Sequence, residues 1–301
     1  MRSPTLVAVP NFSAGRDTGT IALLQRAITD ETGVSLLDTH SDGDHNRTVL
    51  TVAGRQRQLA QALVQAAATA IDRIDLRTHE GVHPRVGAVD VAPIVYLHPD
   101  DRGAAAAEAL VLADRLADEL RLPVFLYGEL TGNARTRAQI RAGGPDALQH
   151  RIDSGAMVPD FGPRRLHPTA GAVLVCARPP LVAFNVELAP PASLDDARMI
   201  AALIREGGEQ GLASVRAIGV QLTNPMRAQV STNIEDHRAT RIADVIAAVE
   251  RHAPVARAEI VGVPPRAAFD GLVQTTGCMP VPGLVADRTL EAVLSGLELH
   301  R

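Results

Sequence analysis

Lysine is absent from this 301-residue chain, and all 30 positively charged side chains are arginine. That removes Schiff-base chemistry and the lysine of a Walker A phosphate loop. Such a bias is what a GC-rich genome produces, and it leaves anion recognition to arginine forks and backbone N–H groups. Tryptophan is also absent and tyrosine occurs only twice, so a ring-stacking site has few residues to draw on. Cys176 and Cys278 are too few for a disulfide framework or a structural zinc site. No apolar run reaches the roughly 20 residues of a membrane helix, and the Met-Arg-Ser-Pro-Thr start lacks a signal-like apolar core. A net charge of −4 gives no general basic footprint for nucleic acid. The expectation is a reduced, cytoplasmic protein with neither nucleic acid nor membrane as partner.

What is present is an alternation of strand-like and helix-like segments. Leu6–Val9 reads as a strand running into the turn Pro10-Asn11-Phe12-Ser13-Ala14-Gly15. Ile21, Leu24, Ala27 and Ile28 recur at helical spacing, with Gly33 as the stop. Val34–Leu37 and Thr48–Val52 read as strands around a polar loop, His40–Arg47. A long amphipathic helix (Leu59 to Ile74), a buried strand (Val91–Leu97), a helix (Ala104–Leu120) and a strand (Val124–Tyr127) follow. A second half begins near Arg178-Pro179-Pro180. It has a strand (Leu181–Leu188), a helix opened by the N-cap Ser193, paired strands (Val215–Leu222 and Ala228–Asn233) joined through Asn224-Pro225, a helix (Arg241–Arg251), a strand (Ala258–Val263) and a last helix (Leu290–Leu297). Each half runs strand, helix, strand pair, helix, strand, which suits an α+β sandwich with helices on one sheet face. The rival, one doubly wound Rossmann sheet, lacks a Gly-x-Gly-x-x-Gly opening a helix after the first strand.

Residues 79–83, His-Glu-Gly-Val-His, match the zinc-protease pattern, which works only when both histidines share one helical face. Gly81 between them and Pro84 after them oppose that helix. The segment therefore reads as a loop entering the Val91 strand, a place where chemistry is commonly carried, and no metal is expected. His40 and His45 flank Asp42-Gly43-Asp44, best read as an exposed polar turn. Cys176 sits in an apolar strand and reads as core.

Several segments in collinear order resemble the glutamate formiminotransferase family. They are Val9-Pro10-Asn11-Phe12-Ser13-Ala14-Gly15-Arg16, Asn46-Arg47-Thr48-Val49, His83-Pro84-Arg85-Val86-Gly87-Ala88-Val89-Asp90, Tyr127-Gly128-Glu129, Pro159-Asp160-Phe161-Gly162-Pro163 and Pro168-Thr169-Ala170-Gly171-Ala172. In the second half Ala183-Phe184-Asn185-Val186-Glu187-Leu188, Ala217-Ile218-Gly219, Ala228-Gln229-Val230-Ser231-Thr232-Asn233 and Glu259-Ile260-Val261-Gly262 continue the likeness. The resemblance implies two ferredoxin-like α+β subdomains, 1–178 and 179–301, with antiparallel sheets facing across a folate cleft and helices outside. It implies transfer of a formimino group from N-formimino-L-glutamate to N5 of tetrahydrofolate, a co-substrate, in histidine degradation. A cyclodeaminase domain found in some relatives is not matched. Relatives suggest a homodimer.

By the same resemblance the catalytic histidine, in the His-Pro-Arg motif, is His83. The folate-binding stretch is Gly162, Pro163, Arg164, Arg165, Leu166, His167, Pro168, Thr169, Ala170 and Gly171. Ala170 stands where vertebrate relatives carry tryptophan, and Glu187 where the family often has asparagine or another polar residue. An imidazole titrating near neutrality can take the proton N5 loses and return it to the departing glutamate nitrogen. Asp38, Asp90 and Asp160 are candidates to face the amidinium; Arg47, Arg85, Arg164 and Arg165 are candidates for substrate carboxylates. Asn11 and Ser13 serve either substrate or their own turn. Three alternatives stand beside this reading: a folate transferase with another one-carbon donor (a formyl-folate or another formimino amino acid), a non-catalytic folate-binding protein, and a zinc hydrolase on His79 and His83.

Overall fold

The computed structural model describes residues 4–223, 226–272 and 288–297. The Asn224-Pro225 connection and Cys278 lie outside the described residues. The chain divides into two compact units, Met1–Pro179 and Pro180–Arg301.

The first unit opens with one strand in two pieces, β1 (Leu6–Ala8) and β2 (Asn11–Phe12). Pro10, which has no N–H to give, lies in the gap, while its carbonyl still accepts from Leu50. Then come α1 (Thr18–Thr29), β3 (Ser35–Asp42), β4 (Arg47–Gly54), α2 (Gln58–Arg73) and β5 (Val89–Val95). These strands lie in the order β3-β4-β1/β2-β5, antiparallel throughout. The polar stretch read as a loop from His40 is shorter: β3 continues to Asp42 and the connection is a tight turn.

Beyond β5 the sheet changes character. After α3 (Arg102–Leu120) and β6 (Val124–Leu126), two short helices, α4 (Arg137–Arg141) and α5 (Gly144–Asp153), precede β7 (Val173–Arg178). Strand β7 inserts between β5 and β6 and runs parallel to both. The sheet is therefore mixed, which corrects the expectation of an antiparallel sheet with helices on one face. Parallel strands are stable when covered on both sides. Here α1, α2 and α3 pack one face of the sheet, while Ile140, Leu148 and Ile152 from α4 and α5 pack the other against Val91, Phe125, Leu174 and Cys176. Double cover is why β5 is buried along its whole length and reads as an apolar run from Val91 onward.

Helix α2 buries a stripe of alanines with Leu59, Leu63 and Val64, and small side chains let it approach α1 and α3 closely. Its N-cap residue, Arg57, has a positive φ and no capping side chain. The acceptor comes from α3: buried Glu108 takes the N–H groups of Arg57 and Ala60 at 2.7 and 2.8 Å. A carboxylate at the positive end of a helix is favourable as well as satisfying its free N–H groups.

The second unit runs β8 (Val182–Leu188), α6 (Leu194–Ile204), β9 (Val215–Thr223), β10 (Met226–Ile234), α7 (Ile242–Glu250) and β11 (Val255–Val261), with α8 (Leu290–Ser295) after it. Its sheet is antiparallel in the order β11-β8-β10-β9. Ser193 caps α6 in a reciprocal box with Asp196, as its position predicts. Val182, Phe184, Val186 and Leu188 alternate toward the core with α6 and α7. By strand periodicity, Ala183, Asn185 and Glu187 point to the opposite face.

Candidate functional site

The segment between α2 and β5 is a loop closed on itself. Arg85 donates to the carbonyls of His79, Gly81 and His83, which makes its guanidinium a loop clamp rather than a free carboxylate receptor. The loop also docks on the β3–β4 turn. Val82 N–H reaches Asp44 O at 3.1 Å, Asn46 Nδ2 reaches Glu80 O at 2.8 Å, and His79 Nε2 donates to Asn46 O at 2.9 Å. Gly81 permits this contact, because a Cβ there would overlap the carbonyl of His45. No helix forms over 79–83, and the two histidines do not converge: His79 meets a backbone carbonyl, His83 a guanidinium. Among the described residues no group of three His, Cys, Asp or Glu is placed to hold a metal ion.

Arg47, the first residue of β4, lies 2.8 Å from His83 through its Nη1 and the histidine's Nε2. An arginine N–H can only donate, so Nε2 accepts and the ring proton of the neutral imidazole sits on Nδ1. Nδ1 is sealed from solvent. Burial, then Arg47, Arg141 and His45, hold the His83 pKa well below its ordinary value, while the Pro84 backbone pulls the ring the other way, toward its charged form. This differs from the expected titration near neutrality. The imidazolium is disfavoured by the cations around it and by lost solvent. Arg47 feels the same crowding: burial and Arg141 bring it down to about 10, against a counter-pull from Asp90.

Asp90 is buried at the start of β5. One oxygen takes the Val86 N–H at 2.8 Å and the other pairs with Arg141 of α4. Asp160 is equally committed, to Leu126 N–H and to both terminal nitrogens of Arg135. It lines a groove of ≈ 1060 Å³ with Leu126, Leu130, Arg135 and Met157, of which His83 is not a part. Asp38 lies on β3, partly exposed.

The turn after β2 belongs to the same construction. Ser13 Oγ donates to Gly87 O at 2.7 Å, and its N–H to Ala88 O. Asn11 bonds the Val9 carbonyl, serving its own turn. Gly15 N–H meets Asn46 Oδ1 at 2.9 Å, where a side chain would collide with the backbone of Asp42 and Arg47.

The stretch Gly162–Gly171 divides in two. Gly162, Arg164, Arg165 and Pro168 are exposed, and neither arginine has a partner among the described residues; Pro163, Leu166, His167 and Thr169 are partly buried. His167 Nδ1 accepts the Ala170 N–H at 3.1 Å and closes the turn. Ala170 is a core residue of the unit, beneath the surface rather than in the position of a stacking platform. Its carbonyl takes Ala88 N–H, and Ala172 N–H donates to Val86, so the end of the stretch is stitched to the His83 loop.

Sequence reasoning missed three neighbours. His45 is buried, not in an exposed turn, and its ring lies 5.7 Å from that of His83. The two arginines Arg141 and Arg137 come from α4, a short helix too weakly patterned to read. Arg137 stacks 5.9 Å over Tyr127 and, with Arg141, adds positive charge around Arg47. A histidine one residue before the Asn46-Arg47 motif was the available signal for the first; nothing local marked the other two.

Residues 5–178 match the family model described as formiminotransferase domain, N-terminal subdomain, and residues 183–272 match that of the formiminotransferase domain. The glutamate formimidoyltransferase of Streptococcus pyogenes serotype M1 is 37% identical over 75% of this chain and 76% of its own. That of Thermoplasma acidophilum is 33% identical over 87% and 88%. The mouse formimidoyltransferase-cyclodeaminase is 37% identical over 87% of this chain and 50% of its own, so the chain spans about half the length of such relatives. Among the described residues no helix is long and apolar enough to cross a membrane.

Proposed function

Because the chain belongs to the formiminotransferase domain family, we propose that it is a glutamate formimidoyltransferase. On this reading it moves the formimino group of N-formimino-L-glutamate to N5 of tetrahydrofolate, as a cytoplasmic enzyme of histidine degradation. Residues 1–178 and 179–301 are its N- and C-terminal subdomains. The β-α-β-β-α-β order with the same antiparallel strand sequence in both units supports a ferredoxin-like description of each. The folate cleft and homodimer implied by the family belong to the same proposal.

The observation that carries the reading is the His83–Arg47 contact within a ring of cations. N5 attacks the amidine carbon, a C–N bond forms, and the new ammonium must shed a proton. His83 takes it on Nε2. The imidazolium then delivers it to the glutamate nitrogen, whose C–N bond breaks to release glutamate and formimino-tetrahydrofolate. The depressed pKa keeps the ring unprotonated and able to accept at neutral pH, at a cost in basicity; release of Arg47 from Nε2 moves the imidazole back toward the range in which a general acid–base works best. Arg47 occupies the lone pair that must take the proton, so its guanidinium has to turn aside. A donor carboxylate is the natural competitor for it. Tetrahydrofolate is held by the exposed part of Gly162–Gly171, with Arg164 and Arg165 uncommitted for its carboxylates.

The test is turnover of N-formimino-L-glutamate with tetrahydrofolate, read as the methenyl product after acid treatment. His83→Gln is expected to lose about 10²–10⁴-fold in kcat. Near-normal turnover by that variant removes His83 from the chemistry.

A further inference from the structure

On the second unit's sheet, the face away from α6 and α7 carries polar groups that the proposed chemistry leaves unused. Register fixes their arrangement: on β8, Glu187 stands between Gln229 of β10 and Arg257 of β11, and Asn185 between Ser231 and Glu259. Asn185, Glu187 and Gln229 are each more than nine-tenths buried. The Glu187 carboxylate is bracketed by two guanidinium groups, Arg227 Nη1 at 3.0 Å and Arg257 Nη1 at 3.6 Å. Each arginine commits one nitrogen to it and has no other partner among the described residues, leaving most of its donors unspent. The Asn185 side chain makes no hydrogen bond among the described residues, which leaves its amide available to a ligand.

We propose that Arg227, Arg257 and Asn185 form a carboxylate-binding subsite for the glutamyl group of a substrate, with Glu187 as the positioning residue that holds the two guanidinium groups. Planar guanidinium forks match a carboxylate, and the Asn185 amide supplies a further N–H to the same anion. Glu187 offsets one of the two arginine charges, and the single positive charge left over suits one carboxylate rather than a multiply charged phosphate. This inference rests on the function proposed above, where both the donor and the tail of tetrahydrofolate present a glutamyl group.

Calorimetric titration of the full chain with N-formimino-L-glutamate, tetrahydrofolate and tetrahydropteroate (which lacks the glutamyl group) tests it and separates the two sources. Arg257 is half-exposed on a strand, so Arg257→Met is expected to fold; Asn185→Asp, which sets a negative charge against the ligand, is the second variant. Both should weaken one glutamyl ligand about 10- to 100-fold, and tetrahydropteroate not at all. Loss confined to N-formimino-L-glutamate assigns the subsite to the donor; loss confined to tetrahydrofolate assigns it to the folate tail. Wild-type binding retained equally by folded variants overturns the subsite alone. A wild type that binds none of the three overturns both the subsite and the function it rests on.

Discussion

Replacing Arg47 by methionine removes one cation and one hydrogen bond from the His83 imidazole while keeping a side chain of similar length. The Nη1–Nε2 contact of 2.8 Å places the two charge centres about 4 Å apart. Coulomb's law then gives about 4 kcal/mol at an effective dielectric of 20 and about 1 kcal/mol at that of water. Divided by 1.36 kcal/mol per pH unit, that range raises the His83 pKa by about 1 to 3. Burial, Arg141 and His45 remain, so it stays below the value of a free imidazole. The acid limb of kcat/KM reports the free enzyme, and it should move to higher pH in the variant. Stability follows the same linkage. In the wild type the unfolded chain binds its proton on His83 at about pH 6.5, before the folded chain does, so stability is lost as pH falls from there toward the depressed folded pKa. That window narrows in Arg47→Met. Paired measurements are the pH–rate profile and the His83 Cε1–H resonance titrated by NMR. An acid limb and a resonance midpoint both unchanged to within about 0.3 pH units would refute the electrostatic coupling.

Other perturbations read different parts of the scaffold. Glu108→Ala strips two N–H groups at the start of α2 of a charged acceptor and should cost about 2–5 kcal/mol in denaturant unfolding; Glu108→Gln, which keeps one acceptor oxygen, should cost less than half of that. Arg141→Met leaves Asp90 buried without its cation, and unfolding measurements should show a loss of about 3–5 kcal/mol. The double variant Arg141→Met/Asp90→Asn should recover part of it. Gly87→Ala sets a Cβ against the carbonyls of Ala172 and Val89, and thermal melts should report about 1–3 kcal/mol of destabilisation.

The element order was largely legible, and the reasons are local. Apolar side chains at helical spacing marked α1, α2, α3 and α6, and double burial made β5 an apolar run from Val91 onward. The short helices α4 and α5 were not legible. Each presents only one or two core residues, Ile140 and then Leu148 and Ile152, too few to establish a period. The mixed character of the first sheet was hidden for a related reason: whether β7 pairs parallel or antiparallel depends on where it inserts, and its apolar sequence suits either.

Family motifs in the sequence, not its periodicity, pointed to His83, and Pro84 with Gly81 was enough to predict a loop there. Which groups surround that imidazole was decided by tertiary structure alone. Arg47 arrives from a strand, His45 from a turn and Arg141 from a short helix, across separations at which sequence carries no signal of contact. Arg85 shows the limit most clearly: it sits in the motif, yet folding spends its guanidinium on three carbonyls of its own loop. The sequence determined the elements and the motif residues because propensity, apolar spacing and proline are local properties of a chain. The charge around His83, and with it the protonation state of the ring, arises only when distant segments pack and exclude water.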